Sequence, residues 1–575
     1  MLEPGNVDRW IDRGMLVVYT KASGVKVLRY GVLKRIDYRY TVSQYKIPVP
    51  PYAREVCGDE VTLKEYYACV LDAIESAYIG DDEPIVFLNS YAYPPRVLYP
   101  VVRTEDLKNE RVEIKKIYFL TPGERYAYTT KYRDLLASTK VYDLPTLKLS
   151  TKPLSDTLSR FGVPKLIVGN GIDFEPDTSG ATSYKRSIIN ELRVHGPYRR
   201  SLRAGNIVIL FKKRRGISEE MILNFYRNLV DVAAKDFNIH MPSNPVIRSF
   251  DSIDDVKNML NNFRDSISIA FVVLARKDDE DYYPLKRAFN RAEVPSQMLT
   301  PDLIDYFYEA QTDEKKRGRF SDTMRNLLIG ALGKAGIIPW TLKDTLYADM
   351  YVGFDIGHKP TRESAHVATF VFLDNRGVYI SSGCITMGPQ RRLKLHANAY
   401  ADLKYWFEKA MKKIRDVDGT DVRSVVIHKD GDVYDDDINT FRRLAEELGL
   451  NIAVISIRKA RGLRLYRRTA PSSIVEAPCT GDHMVLDLKR ALVVNTGCEF
   501  IRQGIPRPLM VELCYVDPQL SSYTIAKAVA EVYKLSFIHW QTATSKIKLP
   551  ATIAYADEWA YLLTEDVELT DIPPL

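Results

Sequence analysis

Residues 351–357, 366–374 and 377–385 read YVGFDIG, HVATFVFLD and GVYISSGCI. Each run is rich in β-branched and aromatic residues, and short polar turns separate them. The pattern predicts three consecutive strands of an antiparallel meander. A helix is predicted from His396 to Asp416, because Ala399, Leu403, Trp406, Phe407, Ala410, Met411 and Ile414 fall on one helical face. RSVVIHKD (423–430) then reads as a strand, 437–448 as a helix, and NIAVISI (451–457) as a strand.

Three strands, helix, strand, helix, strand is the order of an RNase H-like fold. In that order the first strand lies centrally and the fourth pairs beside it, so Asp355 and Asp430 come to face each other. Two such carboxylates offer hard oxygen ligands to Mg²⁺ or Mn²⁺. A pair of these ions can activate water and stabilise the leaving oxygen in phosphodiester hydrolysis. Taken singly, Asp355 reads equally as an acid capping a turn, and Asp430, in KDGD, as a turn residue. The strand order is what favours the metal reading.

The whole chain has 575 residues, enough for roughly three or four domains. Its 46% hydrophobic and 27% charged residues are a globular balance. No uncharged apolar run approaches the ~18 residues of a membrane span. The opening MLEPGNVDRWIDRG lacks the basic-then-apolar pattern of a secretory signal. Lys and Arg total 81 against 74 Asp and Glu, a net charge of +7 that permits a nucleic-acid partner without demanding one. The six cysteines form no CxxC pair and none lies near a histidine at zinc-finger spacing. Neither a structural zinc nor a disulfide framework is expected, and a reducing cytoplasm fits. Scarce glutamine and cysteine point weakly to a hot habitat.

No internal repeat is visible. Residues 14–50 read as strands, Thr62 to Ala77 as a helix and Ile85–Asn89 as a strand, and YAYPPRVLYP (91–100) closes this first module. Residues 106–205 read as a connecting region. From NIVILF (206–211), strands such as IAFVVLA (269–275) alternate with helices at 218–235 and 252–264, up to GIIPW (336–340). That alternation argues for a parallel α/β sheet.

Five stretches together resemble the PIWI domain of the Argonaute family: YVGFDIG (351–357), HKDG (428–431), IRKARGLRLYR (457–467), GIPRPLMVEL (504–513) and LPATIAYADEWAYLL (549–563). The resemblance implies that Asp557, after its Tyr-Ala pair, joins Asp355 and Asp430 as catalytic residue and metal ligand. Its reading as a helix N-terminal acid also stands. The family places a catalytic glutamate between the third strand and the next helix. Here MGPQRRLKLHANAY (387–400) has no acid, and Gln390 or Arg391 stands near that place. Glu363, Asp402 and Glu408 are the nearest acids and none matches. Cleavage of a target and guide-loaded binding without cleavage therefore both stay open, as does a guide-free RNase H-like nuclease.

The preceding unit resembles the Rossmann-like MID domain, through Tyr282, Lys286, Gln297 and Lys334, with TDEKKRGR (312–319) as an insertion. Two ammonium groups and an amide can neutralise a guide 5′-phosphate while the tyrosine ring stacks on its base. In some archaeal members the terminal carboxylate reaches this site, which adds Leu575. Among the basic stretches FKKRRG (211–216), HGPYRRSLR (195–203) and RKARGLRLYRR (458–468), the last offers Arg458, Lys459 and Arg464 to the guide or target backbone. The N-terminal module resembles, less specifically, a small α+β or β-barrel PAZ domain, with Tyr66, Tyr67, Tyr91 and Tyr93 as ring candidates for the guide 3′ end or as core.

The resemblance thus implies an α/β multidomain protein of archaeal, thermophile type: 1–105 PAZ-like, 106–205 linker, 206–345 MID and 346–575 PIWI, without a full N domain. It would be cytoplasmic and act in host defence with no membrane partner. It would bind a 5′-phosphorylated guide DNA or RNA and a complementary DNA or RNA target, with Mg²⁺ or Mn²⁺ for cleavage. The inactive alternative would act in defence or regulation through an effector protein.

Overall fold

The structure is a computed structural model. It describes residues 11, 14–20, 26–49, 54–70, 79–88, 91–100, 120–138, 158–212, 217–275, 280–357, 366–387, 395, 400–460, 462–469, 474–501, 504–540 and 548–575. These belong to two compact units, Met1–Leu120 and Thr121–Leu575.

The first unit contains β1 (Gly14–Thr20), β2 (Lys26–Thr41), β3 (Lys46–Pro48), α1 (Arg54–Cys57), β4 (Glu60–Thr62), α2 (Leu63–Val70), β5 (Pro84–Leu88), β6 (Tyr91–Tyr93) and β7 (Leu98–Pro100). Five strands form an antiparallel sheet in the order β6-β5-β2-β1-β7, and β3 pairs with β4. Helix α2 buries Leu63, Tyr66 and Tyr67 in a core with Met15, Leu33 and Ile85. Of the four tyrosines offered as guide-stacking rings, Tyr66, Tyr67 and Tyr93 are therefore core, and only Tyr91 is exposed. Residues 71–78 of the expected helix lie outside the described residues. Cys57 and Cys69 are joined in a disulfide, which corrects the expectation of none. The fold-back of α1 and α2 around β4 brings their Cα atoms to 5.9 Å, a proximity that linear spacing does not reveal.

The second unit opens with α3 (Pro122–Ser138), β8 (Ser159–Arg160), β9 (Leu166–Ile167), β10 (Asp173–Phe174) and α4 (Ala181–His195). The stretch read as a connector thus carries two long helices. Helix α3 has no apolar stripe to announce it, since Tyr128 and Tyr132 are exposed among its charges.

Next come β11 (Asn206–Lys212), α5 (Glu219–Phe237), β12 (Val246–Phe250), α6 (Ile253–Phe263), β13 (Ile267–Val273), α7 (Tyr282–Arg291), β14 (Ser296–Leu299), α8 (Pro301–Thr312), α9 (Glu314–Lys334) and β15 (Thr341–Leu342). The expected parallel sheet is present, in the order β12-β11-β13-β14. All seven residues of β13 are buried, as in a sheet covered on both faces. Ser218 caps α5, and Ser252 with Asp255 forms a capping box on α6.

The remainder comprises β16 (Met350–Gly357), β17 (His366–Asp374), β18 (Tyr379–Met387), α10 (Tyr400–Asp418), β19 (Ser424–Asp430), α11 (Asp435–Leu448), β20 (Asn451–Lys459), β21 (Arg467–Thr469), β22 (Ile474–Glu476), β23 (Asp482–Val485), β24 (Arg490–Val493), β25 (Leu509–Val516), α12 (Ile525–Leu535) and α13 (Ala551–Thr564). A nine-stranded sheet runs β18-β17-β16-β19-β20-β25-β24-β23-β8. Strand β16 is antiparallel to β17 and parallel to β19, so the RNase H-like order stands as read. Alternation along β16 sends Met350, Val352, Phe354 and Ile356 into a core with Leu403, Phe407 and Phe441 of α10 and α11. Tyr351 points the other way, into a core with Ile553 and Tyr555 of α13. That second core continues to Phe271 and Leu328 of the parallel-sheet region. Among the described residues no helix is long and apolar enough to cross a membrane.

Candidate functional site

Helix α13 lies hard against β16, and glycine is the reason it can. A Cβ on Gly353 would sit 2.0 Å from the Thr552 carbonyl oxygen, and one on Gly357 would sit 2.9 Å from that of Ala560. Cross-links fix the docking. Thr369 Oγ1 reaches the carbonyl oxygens of both Asp355 (3.2 Å) and Ala556 (3.1 Å), and His428 Nδ1 meets Thr552 Oγ1 at 2.9 Å. Burial holds that imidazole down at about 3, so it stays neutral. Asp355 sits inside β16, opposite Thr369, rather than at a turn. Asp430 ends β19, just before Gly431 with φ +89°. Asp557 lies within α13, which begins at Ala551, so the helix-terminus reading of this acid falls.

Asp430 and Asp557 both act on Asp355, and Asp557 acts on Asp430. Burial, and then the charges of Asp430 and Asp557, push the Asp355 carboxyl up to about 7. Asp430 is also raised, by burial first; Asp557 adds to the rise and Lys459 opposes it. Carboxylates that suppress each other's ionisation are relieved by a cation, and an all-oxygen donor set suits Mg²⁺ or Mn²⁺. The fit is incomplete: among the described residues the group whose ligand atoms all lie within 4.8 Å is Cys479, Cys498 and Glu499, not the aspartates. Residues 388–394 and 396–399, including Gln390 and Arg391, lie outside the described residues, as does Glu363. Asp402 and Glu408 are exposed on α10, which packs on the face of β16 opposite α13.

Sequence reading missed a buried ion pair beside Asp430. Lys429 Nζ donates to Asp437 Oδ2, with side-chain exposures of 2% and 0%. Asp437 also accepts from the backbone N–H groups of Tyr434 and Leu395 (2.9 and 2.8 Å).

Tyr282, Lys286, Gln297, Lys334 and Leu575 line a single cavity of ≈ 200 Å³, together with Asn290, Glu558 and Trp559. Pro284 falls in the first turn of α7, where a missing N–H costs nothing, so Tyr282 and Lys286 lie one turn apart. Lys334 Nζ donates to Gln297 Oε1 at 2.8 Å, and Lys286 Nζ to the Ser296 carbonyl at 3.0 Å. Burial pushes Lys286 down to about 8. It drives Lys334 well below the usual lysine range, helped by Lys286 and opposed by Glu558. Leu575 packs near Gly330 and Gly333 of α9. The Thr312–Arg319 stretch forms the junction of α8 and α9, capped by Asp313.

The basic stretch divides. Arg458 is committed to Asp432 (2.7 Å) and Glu512, so it is not the open phosphate contact expected from sequence. Lys459 is exposed and lies near Asp355 and Asp430. Arg464 is lowered by burial and by Arg507 and Arg125. Lys548 is pushed down to about 8 by burial and by Lys459, Arg507 and Arg464. These cations repel one another, the condition a polyanion relieves. Arg125, Arg507 and Lys548 come from separate segments that no linear motif joins. Elsewhere Lys212 pairs with Asp281, and Arg200 and Arg203 donate to the carbonyls of His195 and Glu293; residues 213–216 lie outside the described residues.

The fold is an RNase H-like sheet closed by a helix, with Asp355 and Asp430 on its first and fourth strands and Asp557 on the helix. The Piwi domain family matches residues 269–568, more than half of the chain, and the chain belongs to that family. Its relatives are Argonaute proteins. The protein argonaute of Aquifex aeolicus is 21% identical over 515 residues, 84% of this chain and 64% of that relative, so the chain spans less than two thirds of its length. Among solved structures, Clostridium butyricum Argonaute bound to a guide DNA and a 19-mer target DNA aligns with a TM-score of 0.72 at 18% identity, covering 98% of this chain and 74% of that one. Aa-Ago with externally bound siRNA gives 0.61 at 16% identity (98% and 74%), and Drosophila Piwi 0.59 at 15% (99% and 74%).

Proposed function

We propose that this chain is a prokaryotic-type Argonaute that anchors a 5′-phosphorylated guide strand and recognises a complementary strand, with divalent-metal-dependent cleavage of that strand. The carrying observation is that one helix serves both places: α13 contributes Glu558 and Trp559 to the lysine-lined cavity and Asp557 to the aspartate group. A rigid helix between anchor and acids would set a fixed distance along a bound guide. Lys286 and Lys334 would hold the phosphate, Gln297 would orient it, and Tyr282 would stack on the first base. Lys459, Arg464, Arg507 and Lys548 would follow the backbone and leave sequence reading to base pairing. Asp355, Asp430 and Asp557 would hold Mg²⁺ or Mn²⁺, which supplies Lewis acidity and an activated water when bound.

The test pairs a 5′-phosphorylated or 5′-hydroxyl guide with a labelled complementary strand and Mn²⁺. Phosphate-dependent guide binding and cleavage, with cleavage lost in Asp355→Ala, is the expected result. Binding without cleavage supports the second reading, a guide-loaded protein working through an effector. The observation favouring that reading is the absence of any acid between Met387 and Tyr400. Binding indifferent to the 5′-phosphate overturns both.

A further inference from the structure

Far along the sheet from the aspartates, two cysteines stand at the ends of one hairpin: Cys479 precedes β23 and Cys498 follows β24. Their segments touch. The Cys498 N–H donates to the Pro478 carbonyl (3.1 Å) and the Gly497 N–H to Thr480 Oγ1 (2.9 Å). A Cβ on Gly497 would lie 2.1 Å from the Thr480 nitrogen, so only glycine allows this approach. Cys479 Sγ, Cys498 Sγ and a Glu499 oxygen all lie within 4.8 Å of one another, and each residue is half-buried. The two sulfurs have opposite surroundings. Arg467 Nη1 donates to Cys479 Sγ at 3.2 Å, and Arg160, held by Asp482 at 2.8 Å, is a second guanidinium beside that sulfur. Burial, and then Glu499 and Cys479, push the Cys498 thiol up to about 12.

Two chemistries use such a set. A structural thiolate metal site is almost always closed by four protein donors. Here, among the described residues, Cys479, Cys498 and Glu499 supply three, and Arg467 and Arg160 add positive charge beside Cys479 that a cation would have to face. The contacts therefore favour the other chemistry, a dithiol. We propose that Cys479 and Cys498 form a peroxide-reactive pair, with Cys479 the attacking sulfur and Cys498 the resolving one. Cationic neighbours and partial exposure are the setting in which cysteines act as nucleophiles. In the first step the Cys479 sulfur bonds to one oxygen of hydrogen peroxide and the O–O bond breaks; the thiol proton leaves with the other oxygen as water, giving a sulfenic acid. In the second, the Cys498 sulfur bonds to Cys479 and the S–O bond breaks; the Cys498 proton leaves with that oxygen as a second water. Two thiols lose two electrons, peroxide gains them, and the disulfide ties the base of the β23–β24 hairpin.

The test treats the full chain with about one equivalent of hydrogen peroxide, blocks remaining thiols with N-ethylmaleimide and maps peptides by mass. The expected product is a disulfide between Cys479 and Cys498, with Cys384 and Cys514 still alkylated. In Cys498→Ser the sulfenic acid should persist on Cys479 and be captured by dimedone, and Arg467→Gln should slow its formation on the order of tenfold. The wild-type map decides the matter even where a variant fails to fold. Oxidation of Cys384 or Cys514 at the rate of Cys479 overturns the proposal. So does one zinc ion per chain that Cys479→Ser releases.

Discussion

Lys286, half-buried, and Lys334, buried, line one cavity, and each donates to a neutral oxygen: Lys286 to the Ser296 carbonyl at 3.0 Å, Lys334 to Gln297 Oε1 at 2.8 Å. Neutral acceptors satisfy the protons, and Glu558 offsets only part of the charge of two lysines, so the cavity gains from an anion. Replacing either lysine by methionine should weaken a 5′-phosphorylated guide by about 1.5–3 kcal/mol, the range for a charge-assisted hydrogen bond. A 5′-hydroxyl guide should be nearly unaffected. Filter binding with the two guides measures the difference, and equal losses for both would deny the phosphate role.

The same burial gives a pH dependence. Lys286 titrates at about 8 in the folded chain against an ordinary 10.5. Between those values the unfolded chain binds more protons, so guide-free stability should rise as pH climbs from 8 toward 10.5. A phosphate in the cavity favours the charged ammonium, so guide binding near pH 8.5 should take up protons. Calorimetry in two buffers of different ionisation enthalpy reads that uptake directly, and Lys286→Met should reduce it.

At the aspartates the sign reverses. Asp355 titrates at about 7 against 3.8, so the folded chain holds the proton longer and loses stability as pH rises between those values. At pH 8 without metal, Asp355→Asn should stabilise the protein on the order of 2 kcal/mol. Mn²⁺ should raise the melting temperature of the wild type and have little effect on Asp355→Asn. A melt of both proteins with and without Mn²⁺ checks this; equal metal shifts would remove Asp355 from the ligand set.

What sequence could reveal here was set by how far each signal reaches along the chain. Runs rich in β-branched and aromatic residues, set off by polar turns, carry their own evidence of strands, so the RNase H-like order and the place of Asp355 in it were legible. Tyr282 and Lys286 were legible through the resemblance to the MID domain, and their spacing of four puts them one helical turn apart. Lys429 and Asp437 pair from a strand to the following helix, with no periodicity to mark it. Arg458 looked open until Asp432 and Glu512 arrived from elsewhere in the fold. Lys548 and Arg507 joined the cation cluster the same way, and Glu558 entered the lysine cavity only because α13 docks on β16.

Gly353 tests that docking. A methyl group there meets the Thr552 carbonyl at 2.0 Å, a contact that only movement of backbone can relieve. Gly353→Ala should cost about 3 kcal/mol, the upper part of the overpacking range. Because α13 carries Asp557, any cleavage should fall more steeply than stability. Urea unfolding alongside a cleavage assay separates the two, and a variant as stable as wild type would show that the contact is not tight.

The Lys429–Asp437 pair offers a cleaner measurement, because both members are buried and Asp437 also accepts from Tyr434 and Leu395. Lys429→Met leaves a buried carboxylate without its cation, and Asp437→Asn leaves a buried ammonium without its anion. Each should cost about 3–5 kcal/mol, the range for breaking a buried pair from one side. The double variant removes both charges, while the asparagine oxygen can still accept from a backbone N–H. Its cost should therefore be well below the sum of the single losses, by an interaction energy on the order of 2 kcal/mol in a double-mutant cycle. Urea denaturation of the four proteins at neutral pH supplies the cycle. Strict additivity would mean that the two charges are solvated separately, and the pair would then have no part in holding β19, and with it Asp430, in place.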